Sequence, residues 1–270
     1  GKTLAFLVPA YDSLLRNGAS QRVCRKGPLM LVLAPTRELA LQIQTEAAQF
    51  GEQMGINSTA VYGGAPWGEQ LGSLKRGPHV VVGTPGRLLD FLSKNKLSLA
   101  QARWLAIDEA DQMLDIGFEP QLRSIVGQVP NERQTCMYTA TWPAAIQQLA
   151  NDFLVDPIRV QLASGERACN RNILQEVRIC AGADAKLEAL LEILRCKNSK
   201  SDKTLIFVNT KVMCTLLEED LSRRHIASTV IHGDLTQEKR EAALTAFTTG
   251  QMPVLLATDV AARGLDIKDV

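Results

Sequence analysis

Along the chain, short apolar runs alternate with longer stretches in which apolar residues recur every three to four positions. Leu29 to Leu33 reads as a buried strand, and Leu39, Ile43, Ala47, Phe50 and Met54 then share one face of a helix. The same unit recurs at Val80 to Val82 before Pro85 to Ser93, at Trp104 to Ile107 before an acidic run, and at Thr135 to Tyr138 before Trp142 to Phe153. Strands joined through helices run parallel and need both faces covered, so the pattern predicts an α/β fold in which helices enclose a parallel sheet.

The alternation stops near Ala163 to Arg171, where the polar, small-residue string SGERACNR follows neither period. This predicts a first domain over 1–163, a linker over 164–172 and a second domain over 173–270. In the second, Ile173 to Ile179 is a strand candidate, and Leu187, Leu190, Leu191 and Leu194 fit one helix face. Thr204 to Val208, Ser228 to Ile231 and Val254 to Ala257 are further strand candidates with helices between them, so the second domain repeats the first in architecture. A length of 270 residues suits two units at roughly 100 to 200 residues each.

Composition narrows the class of molecule. With 46% hydrophobic and 22% charged residues and no long apolar stretch, the chain reads as globular, without a membrane span. Its formal charge of +1 supplies no general field for polyanions, so any grip on nucleic acid must be local. The six cysteines form no C-x-x-C pair and the three histidines do not cluster with them, which argues against a zinc site or a disulfide framework and for a reducing intracellular compartment. Gly1 is followed by Lys2 and Thr3 with no initiator Met and no targeting pattern, so the expectation is a truncated N-terminus.

Parallel α/β sheets carry their working loops beyond the carboxyl ends of the strands, and polar residues directly after apolar runs are therefore the candidates for chemistry. Asp108 and Glu109 follow Trp104 to Ile107. Adjacent carboxylates there suit Mg²⁺ and water chemistry on a phosphate; they equally suit a helix start, with Asp108 as cap and Asp111 in the first turn. Gly1, Lys2 and Thr3 before Leu4 to Val8 match the end of a phosphate-binding loop, or an ordinary polar turn before a helix. Pro35, Thr36, Arg37 and Glu38 open a helix after a strand, and Thr84, Pro85, Gly86 and Arg87 repeat that layout, each able to offer amides, a hydroxyl and a guanidinium to a phosphate or to act as simple caps. Gly63 and Gly64 end another strand candidate. Thr139 and Thr141 follow Tyr138, with hydroxyls able to bridge neighbouring carboxylates or backbone, or to cap a helix. Thr258, Asp259, Arg263, Gly264, Leu265 and Asp266 follow Val254 to Ala257 as a ligand loop or a surface turn.

Taken in order, GKT, PTRELA, GG, TPGR, DEAD, TAT, LIFVNT, the Gln237 to Arg240 pair and TDVAARGLD resemble the motif series of the DEAD-box ATP-dependent RNA helicases, over the whole chain. The TATWP string is similar to the nuclear RNA-processing branch, which implies an intracellular location, in nucleus or nucleolus ahead of cytoplasm. The resemblance implies two RecA-like parallel-sheet domains, the first lacking its N-terminal part and the second its C-terminal part. It also implies ATP and Mg²⁺ in a cleft and RNA across both domains, with protein regulators as possible further partners and no membrane. Gly1, Lys2 and Thr3 would contact phosphates, Thr3 and Asp108 the metal, and Asp266 the ribose, while Glu109 would activate the hydrolytic water. Thr139 and Thr141 would couple hydrolysis to strand separation. Pro35, Thr36, Arg37, Gly64, Thr84, Gly86 and Arg87 would hold the RNA backbone from the first domain, and Gln237, Arg240 and Thr258 from the second. The implied activity is local unwinding of short duplexes or remodelling of RNA–protein complexes; the alternative is an ATP-gated RNA clamp that unwinds nothing. Arginine fingers, worth roughly 10³ to 10⁵ in rate, belong to a motif expected beyond Val270, so this stretch alone is expected to hydrolyse ATP poorly.

Overall fold

The computed structural model of the chain describes residues 2–19, 24, 26–161, 173–195 and 203–258, with Gln237 described by its backbone alone. Two compact units divide between Val155 and Asp156. The expected linker at 164–172 lies outside the described residues.

The first unit is built on five strands: β1 (Met30–Leu33), β2 (Ser58–Val61), β3 (Val80–Gly83), β4 (Trp104–Ile107) and β5 (Gln134–Met137). They lie in the order β2-β3-β1-β4-β5, and every pairing is parallel. Helices α1 (Lys2–Arg16), α2 (Arg37–Gly51), α3 (Trp67–Lys75), α4 (Pro85–Ser93), α5 (Ala110–Asp115), α6 (Glu119–Val126) and α7 (Ala144–Phe153) cover the sheet. Successive strand residues point to opposite faces, so a strand apolar at every position feeds two cores. On β1, Met30 and Val32 join α1 and α2 through Phe6, Leu7, Ala40 and Ile43. Leu31 and Leu33 join α4, α6 and α7 through Leu88, Phe91, Leu122 and Ile146 on the other face. This two-sided burial is why the run reads as uniformly apolar.

The second unit holds β6 (Thr204–Phe207), β7 (Ser228–Ile231) and β8 (Val254–Ala257) in the order β6-β8-β7, again all parallel. Its helices are α8 (Ala183–Arg195), α9 (Lys211–Arg223) and α10 (Gln237–Thr248). Leu191, Cys214, Leu221, Val230, Val254 and Leu256 form its core.

Three expectations need correction. Ile173 to Ile179 forms no strand: the segment has no regular structure, and Leu174, Val177 and Ile179 are 94%, 88% and 99% exposed. An extended segment without a paired neighbour leaves its amides to water, and apolar composition alone does not make it a strand. Phe50 and Met54 stay 39% exposed, because Phe50 sits in the last turn of α2 and Met54 falls in the 3-10 turn Glu52–Met54 that leads away from it. Trp142 lies outside α7: it precedes Pro143, whose ring pushes the preceding residue out of helical geometry.

Candidate functional site

The first sheet ends along one edge. Leu33 is level with Gly83 and Ile107, Gly83 with Val61, and Ile107 with Met137. One residue further the ladder still holds, with N–H groups of Ala34, Thr84, Asp108 and Tyr138 donating to Gly83, Val61, Leu33 and Ile107 carbonyls at 3.1, 3.1, 3.0 and 2.8 Å. Strand order therefore fixes the order of the loops across the edge: Gly63–Gly64, then Thr84–Arg87, Pro35–Arg37, Asp108–Glu109 and Thr139–Thr141. Neighbouring strands are about 4.8 Å apart, so the whole row spans roughly 20 Å.

At β4 the Asp108 side chain is 1% exposed and its Oδ1 lies 2.9 Å from Lys2 Nζ. The same oxygen accepts from the Glu109 backbone N–H at 3.0 Å. Lys2 also lies 3.8 Å from Glu109 Oε1, so one ammonium serves two carboxylates. A carboxylate this buried is stable as an anion only with such compensation. Lys2 is held there because it begins α1, whose Phe6 ring packs 5.5 Å from Tyr138 beyond β5. Thr3, the next residue, is buried. Burial first, and then the charges of Cys136 and Asp108, push the Tyr138 phenol up and keep it neutral.

Glu109 has φ 54 and ψ 51, left-handed backbone that residues with a Cβ rarely adopt. Strain of this kind, on the order of 1 kcal/mol, collects at functional sites. The turn is pinned by the Ala110 N–H donating to the Tyr138 carbonyl at 3.0 Å. One residue on, Asp111 Oδ2 accepts from both the backbone N–H and the hydroxyl of Thr141, each at 3.0 Å. Thr139 Oγ1 donates to the Thr141 carbonyl at 2.8 Å.

The other three loops carry a different chemistry. Thr36 Oγ1 caps α2 by accepting from the Leu39 N–H at 3.3 Å, and Pro35 joins it to β1. The Arg37 guanidinium covers Gly64, where an added Cβ would lie 1.9 Å from Nη1 and where φ is +83. Both Nη groups of Arg87 donate to the Ala65 carbonyl at 3.2 Å. Thr84 caps α4 by position, without a side-chain hydrogen bond to that helix, and a Cβ on Gly86 would meet no atom within 4 Å. Two guanidiniums, an uncovered glycine and a helix start thus line one stretch of edge.

In the second unit, Thr258 N–H donates to the Ile231 carbonyl at 3.4 Å, bringing the ends of β7 and β8 together, and Gln237 opens α10, on which Arg240 lies one turn later. Gly1 and Asp266 lie outside the described residues. Sequence reasoning missed the Lys211–Asp234 ion pair, which joins the segments after β6 and β7 and draws the Asp234 carboxyl below its ordinary range. Both residues follow strand ends closely, the signal that found the others. It also read Asp111 only as a helix-start charge. Among the described residues there is no group of three or more His, Cys, Asp or Glu side chains able to hold a metal by themselves, and no helix long and apolar enough to cross a membrane.

The sequence profile of the DEAD/DEAH box helicases matches residues 1–149, and that of the helicase conserved C-terminal domain matches 185–270. The chain is 51% identical to DEAD-box ATP-dependent RNA helicase 40 of Oryza sativa subsp. japonica over 100% of its own length and 34% of that protein's. It is 46% identical to Probable ATP-dependent RNA helicase DDX17 of Homo sapiens, again over 100% of its length and 37% of that protein's. The chain thus spans well under half the length of these curated relatives. Among solved structures it resembles S. cerevisiae Dbp5 bound to RNA and ADP BeF3, with a TM-score of 0.83 and 27% identity, covering 100% of this chain and 66% of that one. A profile match over more than half of its residues, together with the ordered loops along the sheet edge, makes this chain a member of the DEAD/DEAH box helicase family.

Proposed function

We propose that the protein is an ATP-dependent RNA helicase that locally unwinds short duplexes or remodels RNA–protein complexes. The observation that supports this most is the sorting of loops by strand order: the ammonium, hydroxyl and carboxylates gather at β4 and β5, while the guanidiniums and glycines gather at β2, β3 and β1. One end has the chemistry for a nucleoside triphosphate and the other for a sugar–phosphate backbone.

The residues at β4 fit ATP with Mg²⁺. Hard oxygen donors, few in number, suit a cation that keeps most of its waters, and a buried carboxylate beside a lysine is the donor set such a group requires. When bound, the magnesium–nucleotide supplies the phosphoryl group and charge neutralisation for its transfer. Lys2 neutralises phosphate oxygens, assisted by the backbone of Gly1. Thr3 and Asp108 would hold the metal with its waters, and Glu109 would position a water and accept its proton at the carboxylate. Asp266 contacts the ribose. Asp111, Thr139 and Thr141 transmit the state of this end to the rest of the edge.

Pro35, Thr36, Arg37, Gly64, Thr84, Gly86 and Arg87 contact RNA from a domain over 1–163. Gln237, Arg240 and Thr258 do so from a second over 173–270, with 164–172 as linker. Contacts to phosphate and sugar carry no base information, so binding is largely independent of sequence, and 2′-hydroxyls favour RNA over DNA. Protein regulators are further partners; Dbp5 has been solved bound to Gle1. The protein works inside the cell, in nucleus or nucleolus ahead of cytoplasm. Strand displacement on a short RNA duplex, run beside ATP-dependent RNA retention, tests the reading. Displacement with both ATP and RNA present supports it, whereas retention without displacement assigns a clamp instead.

A further inference from the structure

The turn between β2 and α3 is held by more than the two arginines. Trp67 starts α3 directly after Pro66, and its indole Nε1 donates to Asp90 Oδ2 on α4 at 2.8 Å. Phe91 stacks on the indole at 5.2 Å and 24°, and Lys94 Nζ lies 5.3 Å from the ring centroid. The Lys94 hydrogen bond to Asp90, helped by the charge of Lys94, the indole N–H and the charge of Arg87, holds that carboxyl below its ordinary range against the opposing effect of desolvation. Asp90 follows Arg87 by three residues on α4, one helical turn, so the carboxylate that holds the indole also lies beside the arginine that grips Ala65.

We propose that Trp67 and Asp90 are positioning residues that fasten the Gly63–Pro66 turn to α4, so that Arg37, Gly64, Gly86 and Arg87 meet the RNA backbone as one rigid edge. This rests on the RNA-binding reading above. Arg87 pulls on the turn from one side through the Ala65 carbonyl, and Trp67 pins it two residues later through Asp90. Gln70 clamps Tyr62 at the start of the turn, accepting from its N–H at 3.1 Å and donating to its carbonyl at 2.9 Å, so losing the Trp67 pin frees the far end, and the row of donors loses its spacing there. Rigid donors bind better than loose ones because less entropy is lost on contact.

The test uses the full chain, with Trp67→Phe, which keeps an aromatic ring beside Phe91 and Lys94 and removes the N–H together with part of the indole's bulk, Asp90→Ala, which removes the acceptor and leaves the indole whole, and Asp90→Asn, which keeps an acceptor for the indole. The readouts are the RNA concentration giving half-maximal ATP hydrolysis, the half-saturating ATP concentration, and Tm. Losing this part-buried hydrogen bond predicts about a threefold to tenfold rise in the RNA value for Trp67→Phe and Asp90→Ala, with the ATP value moving less than about twofold and Asp90→Asn close to the parent. An unchanged RNA value in Trp67→Phe and Asp90→Ala, or a lowered Tm as their only effect, overturns the proposal. Arg37→Ala and Arg87→Ala are measured alongside: a rise there with none in Trp67→Phe sinks the positioning role alone, whereas no rise in any variant sinks the RNA-binding reading itself.

Discussion

Thr141 gives Asp111 two hydrogen bonds, one from its backbone N–H and one from its hydroxyl, both to the same carboxylate oxygen at 3.0 Å. The contact ties the segment after β5 to the first turn of α5, and so to the strained Glu109 that begins it. A carboxylate held by two donors has one preferred position, and losing a donor releases it.

Thr141→Val keeps the side-chain shape and the backbone donor but removes the hydroxyl. A hydrogen bond to a charged group is worth about 1.5 to 3 kcal/mol, so duplex separation is expected to fall by about tenfold or more. RNA-stimulated ATP hydrolysis should stay within about threefold, since no atom next to Lys2 is altered. Parallel strand-displacement and phosphate-release assays read the two; an equal loss in both refutes a coupling role for Thr141.

The two glycines at the RNA end should behave in opposite ways in the folded protein. Gly64→Ala meets Arg37 Nη1 at 1.9 Å on a backbone with φ +83, so it should lower stability by roughly 1 to 2 kcal/mol as well as weaken RNA binding. Gly86→Ala meets no atom of the described residues within 4 Å and lies in α4, so it should leave stability unchanged or raise it by up to about 1 kcal/mol. If the RNA backbone passes close to that bare position, RNA half-saturation still rises by about tenfold. Thermal melts beside RNA titrations separate the two cases, and a Gly86→Ala protein that binds RNA normally removes Gly86 from the contact surface.

The strands were legible only in part. The uniform apolar character of Leu31 to Leu33 and Val80 to Val82 reports burial on both faces, which is why β1 and β3 were predictable. Gln134 to Met137 forms the edge strand β5, less buried and therefore less distinct. Ile173 to Ile179 has strand composition and no partner, and partner choice is a long-range property that a local window does not contain. The loops along the candidate edge were legible because each of them begins where an apolar run stops. What the sequence hid was pairing across the edge. That Asp111 meets Thr141, or Trp67 meets Asp90, follows from β4 lying beside β5 and from α3 lying near α4.

Alkaline pH should weaken the first unit through Tyr11. Its buried hydroxyl donates to the Ala47 carbonyl at 2.7 Å, and burial raises its pKa well above the ordinary value of 10.0. In the unfolded chain the phenol ionises near its ordinary value, while in the folded chain it stays protonated. The contribution is therefore complete below about pH 10 and is lost as pH rises from there toward the folded value, at up to about 1.4 kcal/mol per pH unit. Tyr11→Phe should cost roughly 1 kcal/mol at neutral pH and flatten the fall in Tm between about pH 10 and 12. An identical alkaline slope in both proteins contradicts this assignment.

The central claim is that Lys2, Asp108 and Glu109 form a nucleotide site, with Glu109 acting on water while Lys2 and Asp108 hold the phosphate end. Glu109→Gln in the full chain tests it most directly, because the amide keeps the shape and loses the base. RNA-stimulated phosphate release should fall by about a hundredfold or more, while ATP binding changes by less than about threefold. Turnover at the parent rate would contradict the account.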